Sequence, residues 1–295
     1  MTEPPTPAPA VTAPDAKRSG WSLPLRVASG VLFVPLLIVL ARAGGAAFVG
    51  LVLLQAALAT AEFHRLLEAR GIRPNRLLGQ LATFGVVLAA FRPHFAPIDL
   101  AGTLALLLLL ALGLRRPRTA VVDGMAGTLF GVAYVGWLSA HFVLLRELPW
   151  QVGVEYPQGA SFVLLAFLLT WGCDTAAFLV GRTFGRRRPW SWISPKKSLE
   201  GSMAGFVAAI VLAFVARAWF APYLRIGDAI ALGVLVGLFG QVGDLVESLL
   251  KREAQAGDSS DLIPGHGGVL DRFDSLYFAA PVVYYYLRSV VFGAF

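Results

Sequence analysis

Long apolar runs broken by short charged clusters organise the chain from residue 25 onward. A helix needs about 20 apolar residues to cross the hydrocarbon core of a bilayer. Runs of that order fall at 25–41, 46–62, 78–91, 100–114, 124–145, 161–180, 202–220, 226–249 and 276–293. They predict an all-α polytopic integral membrane protein with about nine transmembrane helices. The third and fourth runs are short enough to leave merging or re-entrance open. The alternation that a closed β-barrel requires is not seen. Ahead of the first run, residues 1–20 are rich in Pro, Ala and Thr and carry Lys17-Arg18 near their end, which predicts a disordered cytoplasmic tail. The first run begins late and is long for the h-region of a signal peptide, so a retained helix is expected.

Composition agrees with this pattern: of 295 residues, 57% are hydrophobic and 15% charged, with a mean hydropathy of +0.68, outside the range of ordinary soluble domains. The formal charge of +7 is scattered between apolar runs and does not form one patch. It therefore reads as topology signals and anionic-headgroup contacts, with no nucleic-acid partner.

Cytoplasmic segments carry the excess of Lys and Arg. One side collects Lys17, Arg18, Arg26, Arg65, Arg70, Arg73, Arg76, Arg115, Arg116 and Arg118, then Arg182, Arg186, Arg187, Arg188, Lys196, Lys197, Lys251, Arg252 and Arg272. The other side has Arg42, Arg92, Arg146, Arg217 and Arg225. This asymmetry places the N-terminus in the cytoplasm and, with an odd number of spans, the C-terminus outside. The polar loops 181–201 and 250–275 then face the cytoplasm. The chain divides into the 1–20 tail, N-terminal membrane helices at 21–160 and a C-terminal membrane domain at 161–295 that carries both loops. The single cysteine, Cys173, excludes a disulfide framework and a cysteine metal site, and reads as a small core hydrophobe. No internal repeat is evident, which argues against inverted-repeat transporter designs.

Acids inside apolar runs are functional candidates because burying them is expensive. Four stand out: Glu62, Asp174, and the pair Asp244 and Glu247 in GQVGDLVES. For Glu62 a satisfied helix contact or interfacial cap is the simpler expectation. Helical spacing puts Asp244, Glu247 and Ser248 on one face. The most polar stretch, DLIPGHGGVLDRFDS from Asp261 to Ser275, adds Asp271 and Asp274, three apart just before the last span. Carboxylates so placed repel unless something positive lies between them, and hard oxygen donors with one nearby histidine favour Mg²⁺ over Zn²⁺. Gly265, Gly267 and Gly268 allow close backbone approach to phosphate oxygens. Lys251, Arg252 and Arg272 flank them, and the loop SPKKSLEG contributes Lys196 and Lys197. Cations, N–H donors and metal-binding acids on one face describe phosphoryl transfer. His266 is expected as a phosphate donor or loop organiser, and His64, His94 and His141 as structural residues.

SLLKREAQAGDSSDLIPGHGGVLDRFDS, Ser248 to Ser275, resembles the signature of phosphatidate cytidylyltransferases, also called CDP-diacylglycerol synthases. DTAAFLVGRTFGRRR followed by ISPKKSLEG is similar to that family's other shared block. The resemblance departs at Gly257, where the signature has Lys, and at Ser198 and Leu199, where Thr and Trp are usual; Arg186 to Arg188 are candidates to replace the missing charge. The resemblance implies a multi-helix membrane enzyme in the inner or plasma membrane, with its active site facing the cytoplasm. It would join CTP and phosphatidate into CDP-diacylglycerol and diphosphate with Mg²⁺, with a second cation such as K⁺ left open.

It implies Asp244 and Asp271 as metal ligands, with Asp274, Ser248 and His266 beside them in the catalytic group. Asp174, Glu200 and Asp258 become supporting positions. Lys196, Lys197, Lys251, Arg252, Arg272, Gly267 and Gly268 become phosphate-binding positions. Direct attack of the lipid phosphate on the CTP α-phosphorus, with Mg²⁺ bridging the phosphates and no covalent enzyme intermediate, is the expected mechanism. CTP and phosphatidate in the bilayer are the expected partners, with a homodimer allowed.

Three alternatives compete. A CTP-dependent enzyme for another lipid phosphate or alcohol shares this chemistry. A transporter suits the intramembrane acids, but the richest polar sequence lies in loops. A CDP-alcohol phosphotransferase is disfavoured because Asp123-Gly124 is not followed by Ala-Arg.

Overall fold

A computed structural model describes residues 23–91, 98–113, 121–260, 262 and 267–294. The predicted tail at 1–20, together with His94, Gly265 and His266, lies outside the described residues. Helices α1 (Leu23–Ala43), α2 (Gly45–Ala69), α3 (Arg76–Phe91), α4 (Ile98–Gly113), α5 (Val121–Gly131), α6 (Leu138–Val152), α7 (Gln158–Phe184), α8 (Leu199–Trp219), α9 (Ile226–Glu253) and α10 (Leu270–Tyr286) follow in order. A π-helical segment, Val132–Trp137, joins α5 to α6 as one rod, and a second, Leu287–Val291, ends α10. No strand element occurs among the described residues. Among them, five helices are long and apolar enough to cross a membrane: Gly45–Ala69, Val121–Val152, Gln158–Phe184, Leu199–Trp219 and Ile226–Glu253.

Each predicted apolar run falls largely on helical residues. The third and fourth are separate helices, α3 and α4. The boundaries differ where polar residues extend a helix beyond its apolar stretch. Helix α9 continues through Lys251 and Arg252 to Glu253. Helix α10 begins at Leu270 rather than at 276, so Asp271 and Asp274 lie in its first turns. That early start is possible because carboxylates cap its N–H groups, as the site geometry below makes clear.

In a bilayer, lipid tails compete equally for apolar side chains, so helices associate through close packing of small residues and through buried polar ties. Helices α7 and α8 show the first. A Cβ at Gly201 would stand 2.6 Å from the Ala177 carbonyl oxygen, and one at Gly205 2.7 Å from that of Cys173. Ala209, Ala213 and Ala216 continue the buried stripe along α8. The second appears between α2, α6 and α10: Gln55 Nε2 donates to the Tyr277 hydroxyl (2.6 Å), and Ser139 Oγ donates to Gln55 Oε1 (3.1 Å). A third tie fixes the corner between α1 and α2. The fully buried Arg146 donates to the carbonyls of Ala41 (2.6 Å) and Tyr156 (3.2 Å), and its guanidinium lies 4.1 Å from the Tyr156 ring centroid.

Replacing Gly205 by Leu should force α7 and α8 apart, at a cost of ~1–3 kcal/mol for overpacking. The detergent unfolding temperature, followed by circular dichroism, should fall by several degrees. Gly227→Leu is the control, because a Cβ there meets nothing within 4 Å, and its unfolding temperature should stay unchanged.

Candidate active site

Three connections meet at one end of the bundle: the turn after α7, the start of α8, and the seam between α9 and α10. The α9–α10 seam is tight because α9 has glycine at the crossing. A Cβ on Gly243 would lie 2.6 Å from the Asp274 carbonyl oxygen. This approach brings carboxylates from both helices together: Asp244, Glu247 and Asp274 each offer an oxygen within 4.8 Å of the others. Glu247 and Asp274 are buried, and Asp244 is partly open. Glu247 Oε1 has no hydrogen-bond partner among the described residues. The nearest charge to Glu247 is Lys251 Nζ, 2.5 Å from Oε2.

Asp271 stands beside this group and is held differently. Its Oδ1 accepts from Lys251 Nζ (2.6 Å), and its Oδ2 accepts from the backbone N–H of Gly268 (2.7 Å) and of Ser259 (3.0 Å). The Lys251 ammonium therefore bridges Glu247 and Asp271. On the outer side, Lys197 Nζ pairs with Asp244 Oδ2 at 2.7 Å, and Ser248 Oγ reaches Asp244 Oδ1 at 3.5 Å. Among the described residues, two ammonium groups thus face four carboxyl groups, an excess of acid that a bound cation would balance. Hard carboxylate oxygens suit Mg²⁺, and Glu247 Oε1, buried with no hydrogen-bond partner among the described residues, is an acceptor that such a cation could use.

A cavity of about 400 Å³ opens beside this cluster. Asp244 belongs to both the cluster and the cavity wall. Asp174 also lines the cavity, and Ser275 Oγ donates to it at 3.4 Å. Arg182, Arg188, Lys196 and Lys197 supply positive charge, while Ala177, Phe178 and Leu245 make an apolar wall. A space lined by both cationic and apolar side chains fits a phosphate carried on a hydrocarbon group.

The remaining predicted residues organise the loops around the cavity. Glu200 accepts from the backbone N–H groups of Arg186 (3.1 Å) and Arg187 (3.2 Å), tying the turn after α7 to the start of α8. Ser198 caps α8 by accepting from Gly201 N at 3.2 Å, so serine keeps the hydroxyl that the family's threonine would provide. Arg252 donates to the Ile193 carbonyl (3.1 Å) and braces the 185–198 connection against α9. Arg272 and Asp258 are exposed.

The glycines show uses other than open phosphate contact. Gly267 has φ +79°, and Gly268 spends its N–H on Asp271. Gly257 stands in open space, with nothing within 4 Å of an added Cβ, while Arg188 lines the cavity and offers charge there. His64 and His141 are buried, and His141 Nδ1 lies 2.9 Å from the Trp137 carbonyl oxygen.

Helical spacing puts Glu247 on the same face as Asp244, but its convergence with Asp274 depends on the α9–α10 crossing. Glu62 is the residue whose role the sequence conceals most. It lies in α2, yet its carboxylate is buried against Ser259, Ser260, Val269 and Leu270.

Residues 24–290 match the cytidylyltransferase family. The chain is 35% identical over 286 residues to a protein of Synechocystis sp. named phosphatidate cytidylyltransferase, covering 89% of this chain and 95% of the relative. A Bacillus subtilis protein of the same name is 30% identical over 269 residues, covering 89% and 96%. One from Staphylococcus aureus is 32% identical over 233 residues, covering 77% and 85%.

The Lys251 bridge can be tested by a double-mutant cycle. Lys251→Met leaves the Glu247 and Asp271 carboxylates without their shared ammonium and should cost ~3–5 kcal/mol of stability. Lys251→Met combined with Glu247→Gln should recover part of that loss in unfolding measurements on the detergent-solubilised protein. Simple additivity of the two substitutions would refute the coupling.

Proposed function

The chain belongs to the cytidylyltransferase family, and from that premise we propose that it joins CTP to phosphatidate, giving CDP-diacylglycerol and diphosphate. The observation that carries the reading is the continuity, at Asp244, of the carboxylate cluster with a cavity lined by both cationic and apolar side chains. An ionised lipid phosphate is already a competent nucleophile, so no strong base is required of the protein. An oxygen of that phosphate attacks the α-phosphorus of CTP, the bond from the α-phosphorus to the bridging oxygen breaks, and diphosphate leaves. No covalent enzyme intermediate forms.

The chain's own residues bind and neutralise. Arg182, Arg188, Lys196 and Lys197 would hold phosphate groups in the cavity that they line. Lys197 is close enough to exchange Asp244 for a substrate oxygen. Asp244, Glu247 and Asp274 would hold Mg²⁺, whose contribution when bound is Lewis-acid polarisation and charge neutralisation at the phosphoryl oxygens. Lys251, on turning to a substrate phosphate, would leave Asp271 Oδ1 open as a further ligand. Ser248 and Asp174 support the cluster through Asp244 and Ser275.

We place the site at the cytoplasmic face of a nine-span bundle with its N-terminus in the cytoplasm, residues 161–295 carrying the chemistry and 21–160 supporting them. The charge asymmetry of the loops supports this orientation. Three exposed tryptophans support the spanning arrangement itself, in either direction: Trp192 (72% exposed) between α7 and α8, and Trp150 (69%) and Trp219 (81%) at the far ends of α6 and α8. Such residues favour the two membrane–water interfaces.

Purified protein given labelled CTP, phosphatidate and Mg²⁺ should form labelled CDP-lipid and release diphosphate; chelation should stop the reaction and added Mg²⁺ restore it. Asp271→Asn and Asp274→Asn should each lower kcat at least ~100-fold while the protein stays folded in detergent. Near-normal activity in both variants would refute the cation assignment, and absence of CDP-lipid from the wild type would refute the function. For orientation, an impermeant maleimide should label Trp192→Cys only from the cytoplasmic side and Trp150→Cys only from the opposite side. Labelling of both from one side would overturn the topology.

A further inference from the structure

We infer that Glu62, in the N-terminal half of the chain, is a positioning residue that sets the geometry of the cation site through Asp271 and the start of α10. The inference rests on the cation reading of the carboxylate cluster given above. Glu62 is fully buried and accepts four hydrogen bonds, every one from the segment that precedes or begins α10. Its Oε1 accepts from Ser260 Oγ (2.5 Å) and Val269 N (3.1 Å). Its Oε2 accepts from Ser259 Oγ (3.0 Å) and Leu270 N (2.8 Å).

Two features make this more than a convenient cap. The cap position of α10 is Val269, which has no side-chain acceptor, so the first N–H groups of the helix need carboxylates from elsewhere. Glu62 serves Val269 and Leu270, while Asp271 serves Gly268 and Ser259. The second feature is the Ser259 hydroxyl, which lies 3.0 Å from Glu62 Oε2 and 3.0 Å from Asp271 Oδ2. It has one proton to give, so the two carboxylates compete for a single donor and their positions are linked. Gly268 shows how tightly the junction is packed: a Cβ there would fall 2.5 Å from Glu62 Oε2. A change at Glu62 is therefore transmitted to Asp271, and through the first turn of α10 to Asp274, without Glu62 joining the carboxylate cluster itself.

Glutamine cannot replace Glu62 in this role. Either orientation of its amide turns an NH₂ toward one backbone N–H, Val269 or Leu270, which cannot reverse its polarity as a hydroxyl can. Residues that orient a metal site without touching the metal typically change its affinity by about 10–100-fold. The experiment is Mn²⁺ binding, followed by electron paramagnetic resonance on the full chain in nanodiscs, for wild type, Glu62→Gln and Ser260→Ala. Glu62→Gln should weaken Mn²⁺ binding about 10-fold or more and raise the Mg²⁺ concentration for half-maximal turnover in parallel. The KM for phosphatidate should hold within about twofold, as expected when the lipid's own contacts are untouched.

A folded Glu62→Gln protein with a lower unfolding temperature but unchanged Mn²⁺ affinity would overturn the inference and leave Glu62 a structural tie. Should Glu62→Gln fail to fold, Ser260→Ala decides, since it removes one of the four bonds: weaker Mn²⁺ binding supports the inference and unchanged binding overturns it. Wild-type protein that binds Mn²⁺ but makes no CDP-lipid would defeat the proposed function and leave the role of Glu62 standing.

Discussion

Carboxylates crowded into the seam between α9 and α10, with too few ammonium groups to neutralise them, set the condition that the surrounding structure has to meet. An isolated ionised carboxylate taken out of water costs several kcal/mol even after relaxation. Among the described residues, Asp244, Glu247, Asp271 and Asp274 share only Lys197 and Lys251 as close ion-pair partners. Such a cluster persists where its geometry is over-determined by packing and where a ligand of opposite charge repays it. Both requirements explain features elsewhere in the fold.

Packing supplies the first. Gly243 lets α10 approach α9 closely enough for the acids to converge, and Gly201 and Gly205 bring α8 against α7 so that the basic 185–198 connection lies over the same end of the bundle. The N-terminal helices contribute through polar ties that lipid cannot replace. Gln55 holds Tyr277 of α10, and Glu62 holds the first N–H groups of the same helix. The second requirement would be met by the phosphates and cation that we propose for the cavity beside Asp244.

Much of this was legible in the sequence because a bilayer imposes a simple code. Apolar runs of near-spanning length located the helices, and helical spacing predicted that Asp244, Glu247 and Ser248 share a face. The motif from Ser248 to Ser275 pointed to the correct family. Less legible were relations that depend on how helices cross. Asp271 and Asp274 read as a pair before a span, yet within α10 they face different partners: Asp271 meets Lys251 and Gly268, and Asp274 meets Asp244 and Glu247. The glycines after Pro264 read as phosphate loops, whereas Gly268 has its N–H committed to Asp271. Glu62 shows the limit most clearly, because its partners lie 197 to 208 residues further along the chain. A lone acid at the end of an apolar run says that something must satisfy it, but not what.

A divalent cation across the α9–α10 seam would satisfy both conditions at once. Anomalous scattering from crystals grown with Mn²⁺ tests it most directly. A peak is expected in contact with Asp244 and with at least one carboxylate of α10, Asp271 or Asp274, at oxygen distances of about 2.0–2.2 Å as for small hard cations. A peak held by other residues, or none at this seam, would contradict it.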